Sequence, residues 1–240
     1  MFVELHKALY LIPVNLSDGP LDDCLPAFNF EVIRNLKYFI VENVRTARRF
    51  IKRCNPSADI GEMTFFELNR HTDEGEIHSF LNPLRNGMPM GVMSEAGCPG
   101  VADPGAQVVS IAQAEGMKIV PLVGPSSILL SLMGSGFNGQ TFSFHGYLPI
   151  EPKDRERKIR ELEDLSGRHN MTQIFIETPY RNNKLLDSLI KTLRRDTKIC
   201  VACDLTDPEN ETIITRTVSG WKKSEYNFDK RPAIFLIYAR

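Results

Sequence analysis

The sequence predicts an α/β protein of two domains, with a parallel sheet in the first half and a mixed sheet in the second. Three observations predict it. Short apolar runs alternate with helix-like stretches as far as Leu122. Thr212 to Val218 and the last apolar run, Ala233 to Tyr238, are joined without an obvious helix. A glycine-rich stretch, Gly134 to Gly139, separates the two patterns. Apolar strands separated by helices imply a parallel sheet covered on both faces.

Each element follows from its residues. Ala8 to Ile12 is a short apolar run stopped by Pro13, and reads as a buried strand. A turn-rich stretch from Asn15 to Pro26 leads to helical spacing at Phe30, Ile33, Leu36 and Lys37. Tyr38 to Glu42 is the second strand, and Val44 to Cys54 a helix with a basic surface. Met63 to Leu68 reads as the third strand, Glu74 to Asn86 as a helix, and Met90 to Met93 as the fourth strand. Gln107 to Glu115 is a helix closed by Gly116, before a fifth strand at Lys118 to Leu122. In the second half, strands at Phe142 to Tyr147, Gln173 to Ile176 and Ile199 to Ala202 alternate with charged helices at Lys153 to Leu165 and Asn183 to Arg195. The domain boundary is expected in the glycine stretch, giving domains 1–138 and 139–240.

The composition narrows the function classes. The 240 residues carry 29 Lys+Arg against 30 Asp+Glu, a net charge of -1, so nucleic acid is not bound through global charge, only through a local basic patch. The N-terminal residues lack a long apolar core, so no signal peptide is read there. The most apolar stretch, Ile119 to Met133, is interrupted by Pro121, Pro125 and serines, so no membrane partner is expected and the cytoplasm is the expected compartment. Five cysteines are an odd count without framework spacing. Cys200 and Cys203 form a C-x-x-C, but in a strand-like run, where residues three apart point to opposite faces. The five histidines are scattered, and no metal is expected.

Gly134 to Gly139 matches G-x-G-x-x-G literally. The dinucleotide fingerprint needs a strand before it and a helix after; here the order is reversed, so it reads as a helix cap and linker. The densest signal is Ser94-Glu95-Ala96-Gly97-Cys98-Pro99-Gly100-Val101-Ala102-Asp103-Pro104-Gly105, directly after an apolar strand. Glycines and prolines there allow unusual backbone conformations and close approach of a ligand, and Glu95 and Asp103 offer acceptors to hydroxyl or amino groups. The alternative is a long structural turn. Val123-Gly124-Pro125-Ser126-Ser127 also follows a strand. Its serines either cap the next helix or help to receive an anion at that helix's N-terminus. In open parallel sheets ligands bind beyond the carboxyl ends of the strands, which singles out the loops after Ile12, Glu42, Met93 and Leu122.

Taken in order, Ser94 to Gly105 and Pro121 to Ser127 resemble the tetrapyrrole methylase superfamily of S-adenosylmethionine (SAM) enzymes. Phe144-His145-Gly146-Tyr147-Leu148-Pro149 and Ile176-Glu177-Thr178-Pro179-Tyr180-Arg181 are similar to its ribosomal RNA small subunit methyltransferase I branch. Leu9 to Pro13, Glu42 to Arg45 and Asp204 to Thr206 align in the same order. The resemblance implies a two-domain fold with SAM in the cleft between the domains, and a homodimer. It implies that Ser94, Glu95, Ala96, Gly97, Val101, Ala102 and Asp103 hold the homocysteine and ribose parts of SAM. Gly124, Pro125, Ser126 and Ser127 shape the same pocket, and Phe175, Ile176, Glu177, Pro232, Ala233 and Ile234 close on the adenine. The sequence departs from the family in two loops. The first reads Pro13 to Pro20 with an altered glycine position, and the family's Glu-Asp-Thr-Arg appears as Glu42-Asn43-Val44-Arg45.

The resulting expectation is methyl transfer from SAM to a ribose hydroxyl of small-subunit ribosomal RNA. The alternatives are the same chemistry on a tetrapyrrole or other small molecule, and a non-catalytic RNA- or ribosome-binding relative. A ribose hydroxyl is a weak nucleophile, so a base helps. Candidates are Glu42, Glu95, Asp103, His71 and Glu177, with Glu42 favoured because it ends a strand and precedes Arg45. RNA contacts are expected from Arg45, Arg48, Arg49 and Lys52, which share one helical face, and from Lys153 and Arg157, where neighbouring acids dilute the charge.

Overall fold

In the computed structural model, which describes residues 5–69, 71–222 and 225–239, the chain divides into two units between Ser126 and Ser127. The first unit holds β1 (Leu9–Ile12), α1 (Ala27–Asn35), β2 (Tyr38–Val41), α2 (Val44–Cys54), β3 (Thr64–Glu67), α3 (Glu74–Phe80), α4 (Asn82–Arg85), β4 (Met90–Met93), α5 (Gly105–Ala114) and β5 (Ile119–Pro121). Its sheet runs β3-β2-β4-β1-β5, with every pairing parallel. The stretch expected as one helix from Glu74 to Asn86 is two, because the chain turns at Leu81 and restarts with Pro83 in the first turn of α4.

Side-chain alternation builds two cores, one on each face of this sheet. Tyr10, Ile12, Phe39, Val41 and Met93 pack with Val32 and Ile33 of α1 and Phe50 and Ile51 of α2. Leu9, Ile40, Met90 and Val92 pack with Ile77 of α3, Leu84 of α4 and Val108 of α5. Gly91 sits where a Cβ would meet Ile12 Cδ1 at 2.6 Å, so a side chain on the central strand there would have to displace Ile12 in the packed core.

The strand order also locates the crevice. The chain leaves β2 outward to β3 and leaves β4 in the opposite direction to β5. β2 and β4 are neighbours, so the connections diverge between them, and a ligand crevice belongs outside their carboxyl ends. The loops there begin at Glu42 and Ser94.

The second unit holds α6 (Ser127–Ser135), β6 (Phe142–Tyr147), α7 (Pro152–His169), β7 (Thr172–Ile176), α8 (Asn182–Thr192), β8 (Lys198–Cys203), β9 (Thr212–Thr217) and β10 (Ala233–Tyr238). Its sheet runs β6-β7-β10-β8-β9. β6 and β7 are parallel and the other pairings antiparallel, the mixed sheet expected from the missing helix. Leu162 of α7, Leu185 and Leu189 of α8, and Phe175, Val201 and Phe235 form its core. The buried Glu163 of α7 accepts from the Arg194 N–H at 2.8 Å and from Thr197 Oγ1, pinning the turn between α8 and β8.

The division between the units falls before α6, not between 138 and 139 as expected. α6 is apolar and packs on β8, β9 and β10. A Cβ on Gly134 would meet Ile213 Cδ1 at 2.4 Å, so that glycine serves close packing against β9. Gly136 takes φ +73° just past the helix end, the expected cap. Cys203 lies in the core, and Cys200, three residues back on β8, faces the other way. Burial pushes their thiols up to about 12 and about 11, which keeps them protonated and inert. Among the described residues no helix is long and apolar enough to cross a membrane.

Candidate active site at the strand ends

Four loops of the first unit converge beyond the carboxyl ends of β1, β2, β4 and β5. Val14, after β1, exchanges two 2.9 Å backbone hydrogen bonds with Gly97, after β4. Gly124, after β5, sits where a Cβ would meet Pro13 Cβ at 2.2 Å, so the first and last loops touch only because this residue is glycine. Cys98 Sγ donates to the Pro125 carbonyl at 3.4 Å. Asn29 of α1, buried, donates from Nδ2 to the Val123 carbonyl at 2.8 Å. The altered first loop therefore still docks on the loop after β4.

The loop after β4 is wound tightly. Gly97, Gly100 and Ala102 take φ of +74°, +80° and +60°. For an alanine that conformation is strained, and such residues concentrate at functional sites. Asp103 closes the loop, its Oδ1 accepting from Gly100 N–H at 2.8 Å and Gly105 N–H at 2.7 Å. Its Oδ2 is buried and has no hydrogen-bond partner among the described residues. Burial raises the Asp103 pKa even though both N–H donors lower it. Ser94 is turned inward, with Oγ within reach of the carbonyls of Ala96, at 3.2 Å, and Gly97, at 3.3 Å. Glu95, Ala96, Val101 and Ala102 are exposed, and they form the accessible edge of the loop.

Glu42 follows β2 and is half-buried. Burial raises its pKa first, then the charge of Asp103. The backbone N–H of Glu95, donating to the Glu42 carboxylate, lowers it, and the Glu95 charge adds a smaller upward push. Three expected residues, Glu42, Glu95 and Asp103, thus form one carboxylate cluster at the crevice. Asn43, which replaces the family's carboxylate, caps α2: Oδ1 accepts from Arg45 N–H at 2.9 Å and Thr46 N–H at 3.3 Å. An amide oxygen caps a helix as well as a carboxylate does, so the change leaves α2 intact. Thr46, which the sequence did not mark, donates from Oγ1 to Glu95 Oε1 at 2.6 Å.

α2 exposes Arg45, Arg48, Arg49, Lys52 and Arg53 on one face. Arg48 lies over the Phe65 ring at 5.2 Å, and Lys52 donates to the Pro56 carbonyl at 3.1 Å. Arg45 and Arg49 have no ion-pair partner among the described residues. On α7 of the second unit, Arg157 pairs with Asp154 at 2.8 Å and Arg160 with Glu156 at 2.7 Å, so the basic run holding Lys153 and Arg157 is largely self-neutralised.

The residues expected on the adenine side form their own cluster in the second unit, because β7 and β10 run antiparallel and pair Ile234 with Ile176. Phe175 and Ile234 are buried, and Pro232 is exposed with Ala233 partly so. Glu177 Oε1 receives Arg181 Nη2 at 2.6 Å and its neighbour Thr178 N–H at 2.7 Å, which ties the carboxylate to the turn that leads into α8. Arg231 Nε donates to Asp204 Oδ2 at 2.5 Å, tying the turn after β8 to the start of β10. His145 Nε2 lies 2.7 Å from Gln173 Oε1 on the adjacent strand, and the His71 N–H donates to Asn69 Oδ1 at 2.9 Å. A cavity of about 840 Å³ between α1 and α2 is lined by Leu25, Phe30, Arg34 and Arg53, with Pro20 and Leu21 from the connection after β1.

The donor set fits SAM. The charges of Asp103 and Glu95 both act on Glu42, and a cationic sulfonium or ammonium group beside Glu42 offsets that repulsion. Ala96, Val101 and Ala102 are exposed and lie on the edge that a nucleoside would approach. No dinucleotide loop, metal cluster or phosphate loop competes for the site among the described residues.

No family model matches this chain. It is 29% identical over 198 residues to a protein of Vibrio cholerae serotype O1 named ribosomal RNA small subunit methyltransferase I, covering 82% of this chain and 65% of that one. It is 31% identical over 220 residues to the protein of the same name from Bacillus subtilis strain 168, covering 90% of this chain and 70% of that one. This chain thus spans about two thirds of the length of these relatives. Among solved structures, the methyltransferase CobJ superposes with a TM-score of 0.63 at 16% identity, over 97% of this chain and 94% of that one, a likeness of fold.

Proposed function

Because this chain belongs to the family of ribosomal RNA small subunit methyltransferase I, we propose that it is a SAM-dependent methyltransferase whose acceptor is a ribose 2'-hydroxyl of small-subunit ribosomal RNA. The observation that carries the reading is the carboxylate cluster of Glu42, Glu95 and Asp103 at the switch point between β2 and β4.

Bound SAM supplies a methyl group already activated by its sulfonium. The chain has three tasks: to bind the donor, to place the acceptor oxygen in line with it, and to take the acceptor's proton. Ala96, Val101 and Ala102 offer backbone to the donor, and Glu95 offers its exposed carboxylate to a hydroxyl or ammonium group. Glu42 receives the acceptor's proton. Its raised pKa brings it nearer neutral pH, where a base is more effective. α2 begins two residues beyond Glu42, and Arg45 and Arg49, without ion-pair partners among the described residues, offer guanidinium groups to phosphates of a strand whose ribose reaches the crevice.

Thermal unfolding with S-adenosylhomocysteine, using NAD and ATP as controls, tests the cofactor. At about 100 times its dissociation constant a native-state ligand adds about 2.7 kcal/mol, or roughly 5–11 °C in Tm for a chain of this size. A selective shift is expected; its absence overturns the reading. Methyl transfer to small-subunit RNA, followed by mapping of the modified ribose, tests the acceptor. Transfer to a small molecule instead refutes the RNA half alone.

A further inference from the structure

Thr46 lies in the first turn of α2, and its hydroxyl has one proton and two acceptors in reach. Glu95 Oε1 is at 2.6 Å, the Asn43 carbonyl at 3.0 Å. That carbonyl already receives the Ala47 N–H at 3.1 Å. The shorter bond, to a carboxylate, takes the proton. Glu95 is thereby held through its carboxylate to the first turn of α2, by Thr46. Its second oxygen, Oε2, has no protein partner among the described residues, and Glu95 is exposed.

We propose that Thr46 is a positioning residue for the cofactor, ordering the Glu95 carboxylate in advance so that Oε2 is presented to a hydroxyl or ammonium donor of SAM. The proposal rests on the assignment of Glu95 to the cofactor made above. A free glutamate loses rotamer freedom when a ligand fixes it; one already fixed loses less, so affinity rises. Neither chain position nor residue type marks Thr46 for this role, because the residue it serves is 49 positions away.

Calorimetric titration with S-adenosylhomocysteine decides the matter without an RNA acceptor. The proteins are wild type, T46V, T46S, E95A and T46V/E95A, each checked for native circular dichroism. T46V is expected to weaken binding about fivefold. T46S, which keeps the hydroxyl, stays within about twofold of wild type. In the E95A background T46V changes nothing further, because its only route to the ligand is gone. The proposal is overturned if T46V binds as wild type does, if T46S falls with T46V, or if the T46V loss persists in E95A. If E95A itself binds normally, the assignment of Glu95 fails with it while the methyltransferase reading stands. No binding by wild type would sink that reading as well.

Discussion

Glu42 carries two costs that a neutral side chain would avoid. It is half-buried, and two other carboxylates stand near it. Its pKa is raised in the folded protein, so its contribution to stability is present below the ordinary glutamate value and is lost as pH rises through the raised value. Glu42→Gln, which keeps an acceptor for the Glu95 N–H, is therefore expected to raise Tm at about pH 7.5. The gain should fade as pH falls toward 4.5, where an ordinary glutamate takes up its proton. The same variant should lose turnover by about tenfold or more while S-adenosylhomocysteine binding is retained. Thermal scans across pH, with methyl transfer measured alongside, check both halves. Unchanged turnover would remove Glu42 from its role as base. The sequence marked Glu42, Glu95 and Asp103 singly, from their places after strands. It did not mark their mutual proximity, which depends on β2 and β4 being neighbours although Tyr38 and Met90, which start them, lie far apart along the chain.

At the scale of elements, α2 was legible almost to the residue. Apolar Ala47, Phe50, Ile51 and Cys54 recur at helical spacing, and the cations fill the opposite face. The proposal that it is an RNA surface rests on Arg45 and Arg49, since Arg48 and Lys52 already have partners. The double variant R45E/R49E is expected to weaken RNA binding and flatten its salt dependence by about 1.4 in log–log slope, about 0.7 for each single-strand phosphate left without its cation. Anisotropy titrations at several salt concentrations measure this; an unchanged slope removes α2 from the interface. The loop after β5 has the opposite history. Gly124 looked like part of a pocket rim, yet its immediate task is to let Pro13 approach. Gly124→Ala should cost about 1–3 kcal/mol through overpacking, roughly 2–12 °C in Tm. Because Pro13 precedes the Val14–Gly97 bridge, S-adenosylhomocysteine affinity should fall in the same variant.

At the scale of the whole molecule, the division into units corrects the glycine-based boundary. Glycines at Gly134, Gly136 and Gly139 read as a linker because composition cannot distinguish flexibility from close packing. In the structure the stretch is fastened. Thr172 Oγ1 donates to the Asn138 carbonyl at 2.8 Å, and Phe137 stacks on Tyr238 with ring centroids 5.4 Å apart. Inserting Gly-Ser after Asn138 should therefore lower Tm by several degrees, about 2–4 °C for each kcal/mol lost, whereas a true linker would absorb the insertion. A Tm within about a degree of wild type would restore the original boundary.

By itself, the sequence determined the fold class, the order of strands and helices, and which loops follow the carboxyl ends of the strands. These depend on local periodicity and on stops at proline and glycine, which are written in adjacent residues. The family resemblance was also legible, because its motifs lie in the same order along one chain. Tertiary structure alone decided which loops meet. It placed Val14 on Gly97, Thr46 on Glu95 and Pro13 against Gly124, and it put α6 with the second unit. Those contacts join residues distant in sequence, and strand order, which brings them together, is fixed by burial across the whole sheet and not by any one segment.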